Sequence, residues 1–423
     1  MKNNKVFLAT LEDIKQSTFL PSEQLQALQL KKLKLLLQRA IDYVPLYSQY
    51  YHQHVDLIKN LQSIDELWHL PAISKEDFIN AGANNYIDSR RNLTNLIQVT
   101  TSGSLGKAMD LYATPFENLT RRGVFWAAWM WRINTSDRLF CMAAPHLDFK
   151  HQFVPNVFIP TLMPADEVRA RFLEFQPTVL LGSVEAIALL ARDLRQHNIV
   201  NQSVRNIFPF GQTLTPFLKA MIRESFNGDI FNLYGAMETN WIAYECEYHD
   251  GLHIPMDRNI VQIAKLNQPN QAAESGEVGE VIVTSLTRWT MPFIRYRLFD
   301  VASLDSSPCP CGRTTPRLKT IEGRVHDFLI AMSGHWVSPG AIATDLAHGR
   351  DAILDHRIVQ ETPTKVKVWI VPAAHFDDQE RQHIVEVITQ YLGKMQIEIE
   401  LVTQIPRDSS GKRRRVYRAF LTS

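Results

Sequence analysis

The sequence has few cysteines, no long apolar run and no excess of charge of either sign. Four cysteines among 423 residues are too few for a disulfide-stabilised scaffold. No window approaches the roughly 18 uninterrupted apolar residues of a membrane-spanning helix, and the initial segment MKNNKVFLATLEDIKQ lacks the apolar stretch of a signal peptide. The formal net charge of +1 indicates no nucleic-acid partner. We therefore expect a soluble cytoplasmic protein that binds neither nucleic acid nor a membrane.

The chain does contain enough apolar residues for a large core. Hydrophobic residues make up 45% of the chain, and its length predicts more than one domain. Leucines at three- and four-residue spacing predict helix over residues 22–53. From residue 138 to about 236, strand patterns alternate with helical ones. This alternation predicts an α/β fold of layered sheets and helices.

The last hundred residues have a different pattern. Two strand-like stretches in HRIVQETPTKVKVWIVP are followed by a helical stretch over 377–392 and by the strand-like QIEIELV. This pattern is typical of a small α+β unit. We therefore expect a large amino-terminal domain, residues 1–322, and a small carboxy-terminal domain, residues 323–423.

A loop rich in glycine and hydroxyl residues, TTSGSLGKAM at 100–109, follows a predicted strand. Its two glycines allow the backbone to approach a ligand closely, and successive N–H groups can form a nest for an anion. Its hydroxyls and one lysine add donors. The spacing differs from that of a Walker loop, so the loop alone also fits a solvated hairpin turn.

Four further segments raise the weight of the phosphate-binding interpretation. They are NLYGAMET, RYRLFD, EGRVHD and IPRDSSGKRRR. With the loop, and in this order, they resemble the motifs of the adenylate-forming superfamily of acyl-CoA synthetases. The early stretches LQLKKLKLLLQRAIDYVPLYSQYY and LPAISKEDF are similar to those of its phenylacetate–CoA ligase branch. The resemblance covers nearly the whole chain.

The resemblance implies an ATP site with Mg²⁺ and a mobile carboxy-terminal lid. The 101–107 loop would hold the β- and γ-phosphates, Tyr234 would pack on the adenine, and Asp300 would accept the ribose hydroxyls. The implied cofactor-binding residues are Thr101, Ser102, Gly103, Ser104, Gly106, Lys107, Gly211, Tyr234, Gly235 and Asp300. The implied catalytic residues are Lys412, which would bridge the carboxylate and the α-phosphate, Glu238, which would bind Mg²⁺, and Arg324, near ribose or phosphate.

Two positions depart from the pattern of the family. Ala108 follows Lys107, where the family usually has proline. In the hinge motif GRVHD, His326 replaces the first of two acids, at the position where the small domain is expected to swing. Histidine titrates near neutral pH, which suggests a pH-dependent domain movement. The alternative is a tolerated polar residue.

Three of the four cysteines occur with histidines in two distant segments, YECEYHDGLHI and SPCPCGR. Three thiols and one imidazole form a tetrahedral zinc set with no position left for water, which predicts a structural zinc site. The predicted ligands are Cys246, His253, Cys309 and Cys311, with His249 as an alternative to His253. Reduced core cysteines without a metal are the other interpretation.

The pocket for the acid is expected between the strand around 141–146, the LLGSVEA turn and the FPFG strand. The candidate lining residues are Ala144, His146, Gly182, Ser183 and Phe210. Trp126, Trp129 and Trp131 are spaced as core residues of a helix and are also candidates for the pocket. The family branch favours an aromatic or medium-sized apolar acid.

The resemblance implies a two-step ligase. ATP and a carboxylic acid would form an acyl-adenylate with release of pyrophosphate, and the acyl group would pass to a thiol, for which CoA is the first candidate. Transfer to a carrier-protein thiol or to an amine is the alternative. A nucleotide-binding relative without catalysis is a third. Because relatives are often dimers, a homodimer is also considered.

Overall fold

The computed structural model describes residues 2–101, 108–121, 132–144, 154–347, 350–405 and 414–420. Its main element is a sheet of 13 strands. In spatial order these are β12 (Gln268–Ala272), β11 (Asn259–Lys265), β13 (Gly279–Ser285), β14 (Tyr296–Asp305), β15 (Arg317–Arg324), β10 (Leu252–His253), β9 (Asn240–Glu245), β8 (Leu233–Ala236), β6 (Asn206–Phe210), β5 (Val179–Ser183), β3 (Leu139–Ala143) and β4 (Asn156–Pro160), with β7 (Asp229–Ile230) also paired to β6.

One half of this sheet is parallel and carries helices. Strands β4, β3, β5 and β6 run parallel, and three helices pack on one face of them through residues such as Phe140, Leu180 and Ile207. The helices are Ala165–Phe175, Val184–Gln196 and Pro216–Ser225. This arrangement confirms the predicted α/β fold class. The other half of the sheet is antiparallel, and in spatial order it contains β8, β9, β10, β15, β14, β13, β11 and β12.

The amino-terminal part is a layer of short helices, and the predicted continuous helix over 22–53 is wrong in detail. The chain leaves the helix at Val44 and starts a new one at Pro45, because a residue before proline is pushed toward extended backbone. The helices of this layer are Lys2–Ser17, Ser22–Tyr43, Pro45–Tyr50, Val55–Asn60, Lys75–Ala81 and Ala83–Tyr86, with 3₁₀ turns at His52–His54, Ile64–His69 and Leu93–Asn95. A hairpin of β1 (Ile97–Thr100) and β2 (Asp110–Ala113) follows.

Buried polar contacts hold this layer against the strand β14 and the segment before it. Arg295 is fully buried and donates to the carbonyl oxygens of Leu67 (2.9 Å) and Pro269 (2.7 Å). The Tyr47 hydroxyl donates to the Pro292 carbonyl (3.0 Å) and accepts from the Ile294 N–H (2.9 Å). These bonds give hydrogen-bond partners to buried main-chain carbonyl and N–H groups, and buried groups of this kind need such partners.

The carboxy-terminal part has a separate sheet and a core of its own. Its strands, in spatial order, are β20 (Gln396–Leu401), β19 (Lys365–Pro372), β18 (Ile353–Thr362) and β21 (Val416–Arg418). The helices Pro339–Ala347 and Asp378–Leu392 pack on this sheet, and a hairpin of β16 (Leu329–Ile330) and β17 (Trp336–Val337) precedes it. This is the predicted small α+β unit. The 3₁₀ turn Val325–Asp327 connects it to β15.

Among the residues that the structure describes, no helix is both long enough and apolar enough to span a bilayer.

We predict that Tyr47→Phe lowers the free energy of unfolding by about 2 kcal/mol. The substitution removes one hydroxyl that satisfies both a buried carbonyl and a buried N–H group, and each unsatisfied group costs about 1–3 kcal/mol. Urea denaturation measures the change, with an unchanged dependence on urea concentration. Tyr248→Phe, at a side chain that is 52% exposed, is the matched control. Equal stability of the two variants would contradict this role of Tyr47.

Candidate functional site

Three residues from separate sequence motifs meet at one point of the large sheet. The Tyr234 hydroxyl on β8 donates to Asp300 Oδ2 at 2.8 Å. Arg324 Nε lies 3.5 Å from Asp300 Oδ1. Asp300 and Arg324 are opposite each other in the antiparallel register of β14 and β15. The structure therefore brings together the side chains that the resemblance implies for adenine, ribose and phosphate.

The electrostatics of this group leave Asp300 able to accept further hydrogen bonds. Burial raises the pKa of the Asp300 carboxyl group, and Arg324 and the Tyr234 hydroxyl offset only part of that effect. Burial and the adjacent carboxylate raise the pKa of Tyr234 well above its usual value, so its phenol stays protonated and donates. The Asp300 side chain is 18% exposed, and ligand hydroxyls can therefore reach it.

Glu238 lies next to this group, just after β8. Its Oε1 accepts from the Tyr296 hydroxyl at 3.3 Å, and Tyr296 is buried on β14. Glu238 also raises the pKa of the Tyr296 phenol, after the larger effect of burial. The carboxylate is thus held at the site by a neutral donor, and its second oxygen is not engaged in that bond.

The sequence analysis did not assign a role to Lys75, which the structure places in the same site. Lys75 Nζ donates to Thr101 Oγ1 at 2.9 Å. Burial lowers the pKa of Lys75, Glu238 opposes this effect, and Arg324 adds to it. Lys75 lies in the segment LPAISKEDF, which is part of the family resemblance. This segment was the sequence signal that could have indicated Lys75 as a site residue.

The start of the helix Lys75–Ala81 explains the position of Lys75. Ser74 forms a capping box with Asp77, whose Oδ2 accepts from the Ser74 N–H at 2.7 Å. Tyr50 also donates to the Asp77 carboxylate. Lys75 is therefore the first residue of a helix whose end is fixed by several hydrogen bonds.

Thr101 closes the base of the glycine-rich loop. Its N–H donates to the Met109 carbonyl at 2.9 Å, and its Oγ1 accepts from the Met109 N–H at 3.0 Å. The rest of the predicted phosphate loop lies outside the described residues, namely Ser102, Gly103, Ser104, Gly106 and Lys107. Lys412, His146 and the three tryptophans of the pocket prediction also lie outside them.

The remaining cofactor and pocket residues lie at the carboxyl ends of the parallel strands, where ligands bind in open α/β sheets. Ala144 directly follows β3, Gly182 and Ser183 end β5, Phe210 ends β6, and Gly211 directly follows β6. Gly211 has a φ of +78°. At Gly182 an added Cβ would lie 2.7 Å from the Met142 carbonyl oxygen, so a larger residue would not fit between β5 and β3.

Two contacts define the neighbourhood of these strand ends. Phe210 packs edge-on against Trp241 with ring centroids 5.6 Å apart. Gly235 allows the close approach of β9, because an added Cβ would lie 2.6 Å from the Asn240 carbonyl oxygen. Trp241 was not among the predicted pocket residues, and it forms an apolar wall beside Phe210.

His326 in the hinge is half-buried against Phe299, with ring centroids 5.1 Å apart. Burial lowers its pKa, and Arg418, Arg414 and Arg297 add to the effect against the opposing charge of Asp327. Asp327 itself accepts from Arg414 Nε at 3.0 Å. A pH-dependent movement of the hinge remains a prediction. Because the pKa of His326 is lowered, we expect any such dependence at a pH below 6.5.

The four predicted metal ligands converge between β9, β10 and the β14–β15 loop. The ligand atoms of Cys246, His253, Cys309 and Cys311 all lie within 4.8 Å of one another. The Cys246 and Cys309 sulfurs are 3.7 Å apart, and Cys311 Sγ is 3.3 Å from His253 Nε2. Zinc–sulfur bonds of about 2.3 Å give a tetrahedral edge of roughly 3.8 Å, so this group fits a zinc ion.

The state of His253 also suits a metal, because burial lowers its pKa to about 4 and the imidazole is neutral. Burial raises the pKa of the Cys246 thiol to about 12, so a bound cation would have to offset this effect for Cys246 to bind as a thiolate. His253 Nδ1 lies 3.0 Å from Thr315 Oγ1, which leaves Nε2 directed at the thiols. The alternative ligand His249 is not in the cluster. It lies against Phe231, 3.4 Å from a Glu245 oxygen.

We predict that Asp300→Asn raises the free energy of unfolding at pH 7 by about 1 kcal/mol, a gain typical of removing a functional-site strain. A carboxyl group whose pKa is higher in the folded protein costs nothing below its unfolded pKa, near 3.8. Its cost grows as the pH rises to the folded pKa and is complete above it.

Urea denaturation measures the stability of Asp300→Asn and of the wild type at pH 7 and below pH 3.8. The variant should be more stable at pH 7, and this gain should be absent below pH 3.8. The exposed Asp229→Asn, which makes the same charge change, is the control. A loss of stability at pH 7 would show that the ion pair with Arg324 outweighs the cost of burial.

Comparison with known proteins gives relatives over most of the chain. Residues 329–419 match the family of the CapK C-terminal domain. The chain is 23% identical over 402 residues to Protein CapK of Staphylococcus aureus, a match that covers 88% of this chain and 85% of the relative. It is 26% identical over 272 residues to the phenylacetate-coenzyme A ligase of Thermus thermophilus, which covers 57% of this chain and 60% of that ligase.

The fold is shared with solved acyl-CoA ligases. The 2-hydroxyisobutyryl-CoA ligase in the postadenylation state, with R3-HIB-AMP, has a TM-score of 0.79 at 20% identity and covers 96% of this chain and 91% of that chain. The same ligase in the thioesterification state, with 2-HIB-AMP and CoA, has a TM-score of 0.64. The chain is therefore similar over most of its length to Protein CapK, is similar over part of its length to phenylacetate-coenzyme A ligases, and has the fold of solved acyl-CoA ligases.

Proposed function

We propose that the protein is an ATP-dependent acid–thiol ligase that forms AMP. It activates a carboxylic acid as an acyl-adenylate and transfers the acyl group to CoA. The observation that carries the proposal is the convergence of Asp300, Tyr234 and Arg324 beside Glu238 and Lys75. The names of the relatives support it, since they include phenylacetate-coenzyme A ligases and a structure with an acyl-AMP and CoA.

In this proposal, Asp300 binds the ribose, and Tyr234 and Gly211 bind the adenine base. Each carboxylate oxygen can accept more than one hydrogen bond, so Asp300 can accept from two vicinal hydroxyls while it keeps its contacts with Tyr234 and Arg324. The Tyr234 ring offers a flat apolar face for adenine, while its hydroxyl stays on Asp300. Gly211, where an added Cβ would meet nothing within 4 Å, leaves room for the base against the backbone.

The phosphates are proposed to lie between Thr101, the 102–107 loop and Lys75. Lys75 is a partly desolvated cation, and a cation in such an environment interacts strongly with a polyanion. Arg324 adds a second positive charge on the side of the ribose. Both charges come from elements fixed by hydrogen bonds, which lowers the cost of holding them in place for a ligand.

Glu238 is the residue proposed to hold Mg²⁺, because a hard cation prefers carboxylate and phosphate oxygens. When bound, the ion neutralises phosphate charge and polarises the phosphorus–oxygen bonds. Lys412, on the carboxy-terminal domain, is proposed to bring a positive charge to the carboxylate and the α-phosphate. Two anions must approach each other there, so a preorganised cation lowers the barrier.

The acid is proposed to bind at the ends of β3, β5 and β6, beside Phe210 and Trp241. Aromatic walls of this kind favour an apolar acid, and we propose an aromatic one. Protein CapK matches a larger share of this chain than the Thermus ligase does, and its name states no reaction. An acceptor other than CoA, namely a carrier-protein thiol or an amine, is therefore the second candidate.

The two-domain division at residues 322/323 is part of the proposal, with Val325–Asp327 as the hinge. The better superposition on the postadenylation structure than on the thioesterification structure of one ligase supports a domain arrangement suited to the first half-reaction. The second half-reaction then requires a rotation about His326, and the rate can depend on this movement.

A structural zinc ion in the Cys246, His253, Cys309 and Cys311 cluster completes the proposal. Four protein ligands leave no open position, so the ion would have no catalytic role. It would join β9 and β10 to the β14–β15 loop, next to the strands that carry Asp300 and Arg324.

We expect exchange of labelled pyrophosphate into ATP that depends on Mg²⁺ and on an aromatic acid, without CoA. Lys412→Ala should reduce the exchange by about 100-fold or more, the scale of losing one preorganised charge. The exposed Lys394→Ala on the same domain is the matched control and should leave exchange unchanged. Absence of exchange with every aryl and short acyl acid, although ATP binds, would contradict adenylation. A coupled assay with CoA and amines identifies the acceptor.

We expect one zinc ion per chain when the protein is purified under reducing conditions and analysed by elemental mass spectrometry. Cys309→Ser should lose the zinc and lower the unfolding temperature, because the ligands are brought together only in the folded chain. Cys141→Ser, at a buried cysteine outside the cluster, is the control and should keep the zinc. A wild-type protein that contains no zinc after expression with added zinc would contradict this assignment.

A further inference from the structure

A cavity of about 330 Å³ lies beside the helix Ser22–Tyr43. Its walls come from this helix, from the segment 114–120 and from the loop 286–290 after β13, and Arg91 and Arg258 complete them. None of the residues that line it belongs to the predicted nucleotide, acid or zinc sites. Its volume is in the range of small-molecule pockets, roughly 300–1,000 Å³, and is larger than a single ion requires.

Positive charge dominates the wall of this cavity. Its cationic side chains are Lys32, Arg39, Arg91 and Arg258. The one carboxylate that lines it, Glu117, already accepts hydrogen bonds from the Trp289 N–H (2.9 Å), the Thr290 N–H (2.7 Å) and the Thr114 hydroxyl (2.9 Å). Glu117 therefore serves the local backbone and leaves the cations to other partners.

Two of the four cations have a carboxylate partner outside the cavity wall, and two do not. An Arg39 guanidinium nitrogen lies 2.6 Å from Asp88, and Arg258 Nε lies 2.8 Å from Asp257 Oδ2. Lys32 Nζ donates to the main-chain carbonyl of Asp257 at 2.7 Å. In the described part of the chain, Arg91 has no side-chain partner within hydrogen-bonding distance. Lys32 and Arg91 are therefore available for an anion.

The environment of Lys32 supports this interpretation. Burial lowers its pKa, and the negative charge of Asp257 opposes the effect only in part. A desolvated ammonium group with no paired carboxylate gains more from a bound anion than an exposed lysine does. Arg39 Nε is also buried without a hydrogen-bond partner in the described structure.

The other lining groups suit a phosphate and a planar group. Thr287 adds a hydroxyl group to the wall, whereas the hydroxyls of Thr114 and Thr290 donate to Glu117 and that of Thr120 donates to the Phe116 carbonyl. Phosphate oxygens accept from hydroxyl, guanidinium and ammonium groups alike. Trp289 and Phe116 offer aromatic faces, and Phe116 is 63% exposed. We propose that this cavity is a second ligand site, which binds a small molecule carrying a phosphate group.

Equilibrium binding to the full chain tests the proposal, with inorganic phosphate and adenosine 3′,5′-bisphosphate as probes at constant, low ionic strength. The variants are Lys32→Gln, which can still donate to the Asp257 carbonyl, and Arg91→Gln at an exposed position. Each should weaken binding by roughly tenfold, as expected for losing one charged hydrogen bond. Lys31→Gln is exposed on the same helix and makes the same charge change, so it should have no effect. Because Arg91 is exposed and glutamine at position 32 can still donate to the Asp257 carbonyl, thermal unfolding should show that all variants fold.

The two probes and one further variant separate the outcomes. Binding of both probes, with loss in both cavity variants, supports recognition of the phosphate group itself, whereas binding of the bisphosphate alone supports recognition of a phosphorylated ring compound. Absence of saturable binding by either probe overturns the proposal. Binding that Asp300→Asn weakens and Lys32→Gln leaves unchanged also overturns it, because the probe would then occupy the predicted ATP site. The result is independent of whether adenylation occurs.

Discussion

The buried carboxylate of Asp300, held between Tyr234 and Arg324, is the interaction on which the rest of the site depends. It joins β8 to the consecutive strands β14 and β15, and its partner Arg324 is the last residue of β15 before the hinge. Burial destabilises the charged form of Asp300, and the interactions with Arg324 and Tyr234 offset only part of this effect. A group kept at such a cost is typical of a functional site, where a ligand completes the interactions that folding leaves unmade.

The amino-terminal helices form part of this site as well as covering the core. Arg295 and Tyr47 attach the helices to the backbone of the large sheet, through carbonyl and N–H groups that no ladder satisfies. The capping box of Ser74 and Asp77 then fixes the first turn of the helix that carries Lys75. The core contacts of Tyr47 and Arg295 and the charge of Lys75 therefore belong to the same helical layer. We expect substitutions in this layer to affect the site.

Tyr234, Glu238, Asp300 and Arg324 were assigned from short segments, through the family that the order of those segments resembles. The structure brings these four side chains into one neighbourhood, and their roles there stay predictions. The α/β class and the small carboxy-terminal unit followed from periodicity. The break at Pro45 was visible in the sequence, but the leucine spacing on both sides of it outweighed the proline in the prediction.

Long-range contacts were beyond the reach of pattern and spacing. Lys75 enters the site only because the helical layer folds across β14, and no local signal distinguishes it from an exposed lysine near a helix start. The choice between His249 and His253 as zinc ligand depends on the pairing of β9 with β10, which directs His253 toward the thiols. The basic cavity is assembled from five places in the chain, and its charges Lys32, Arg39, Arg91 and Arg258 are widely separated in the sequence.

A crystal structure with ATP and Mg²⁺ shows whether Asp300 binds the nucleotide, and it does not require the correct acid. We expect the ribose hydroxyls within hydrogen-bonding distance of Asp300, adenine against the Tyr234 ring, and the phosphates between Lys75 and the 102–107 loop, with the cation on Glu238. A nucleotide bound elsewhere, with Asp300 still closed against Tyr234 and Arg324, would contradict this expectation.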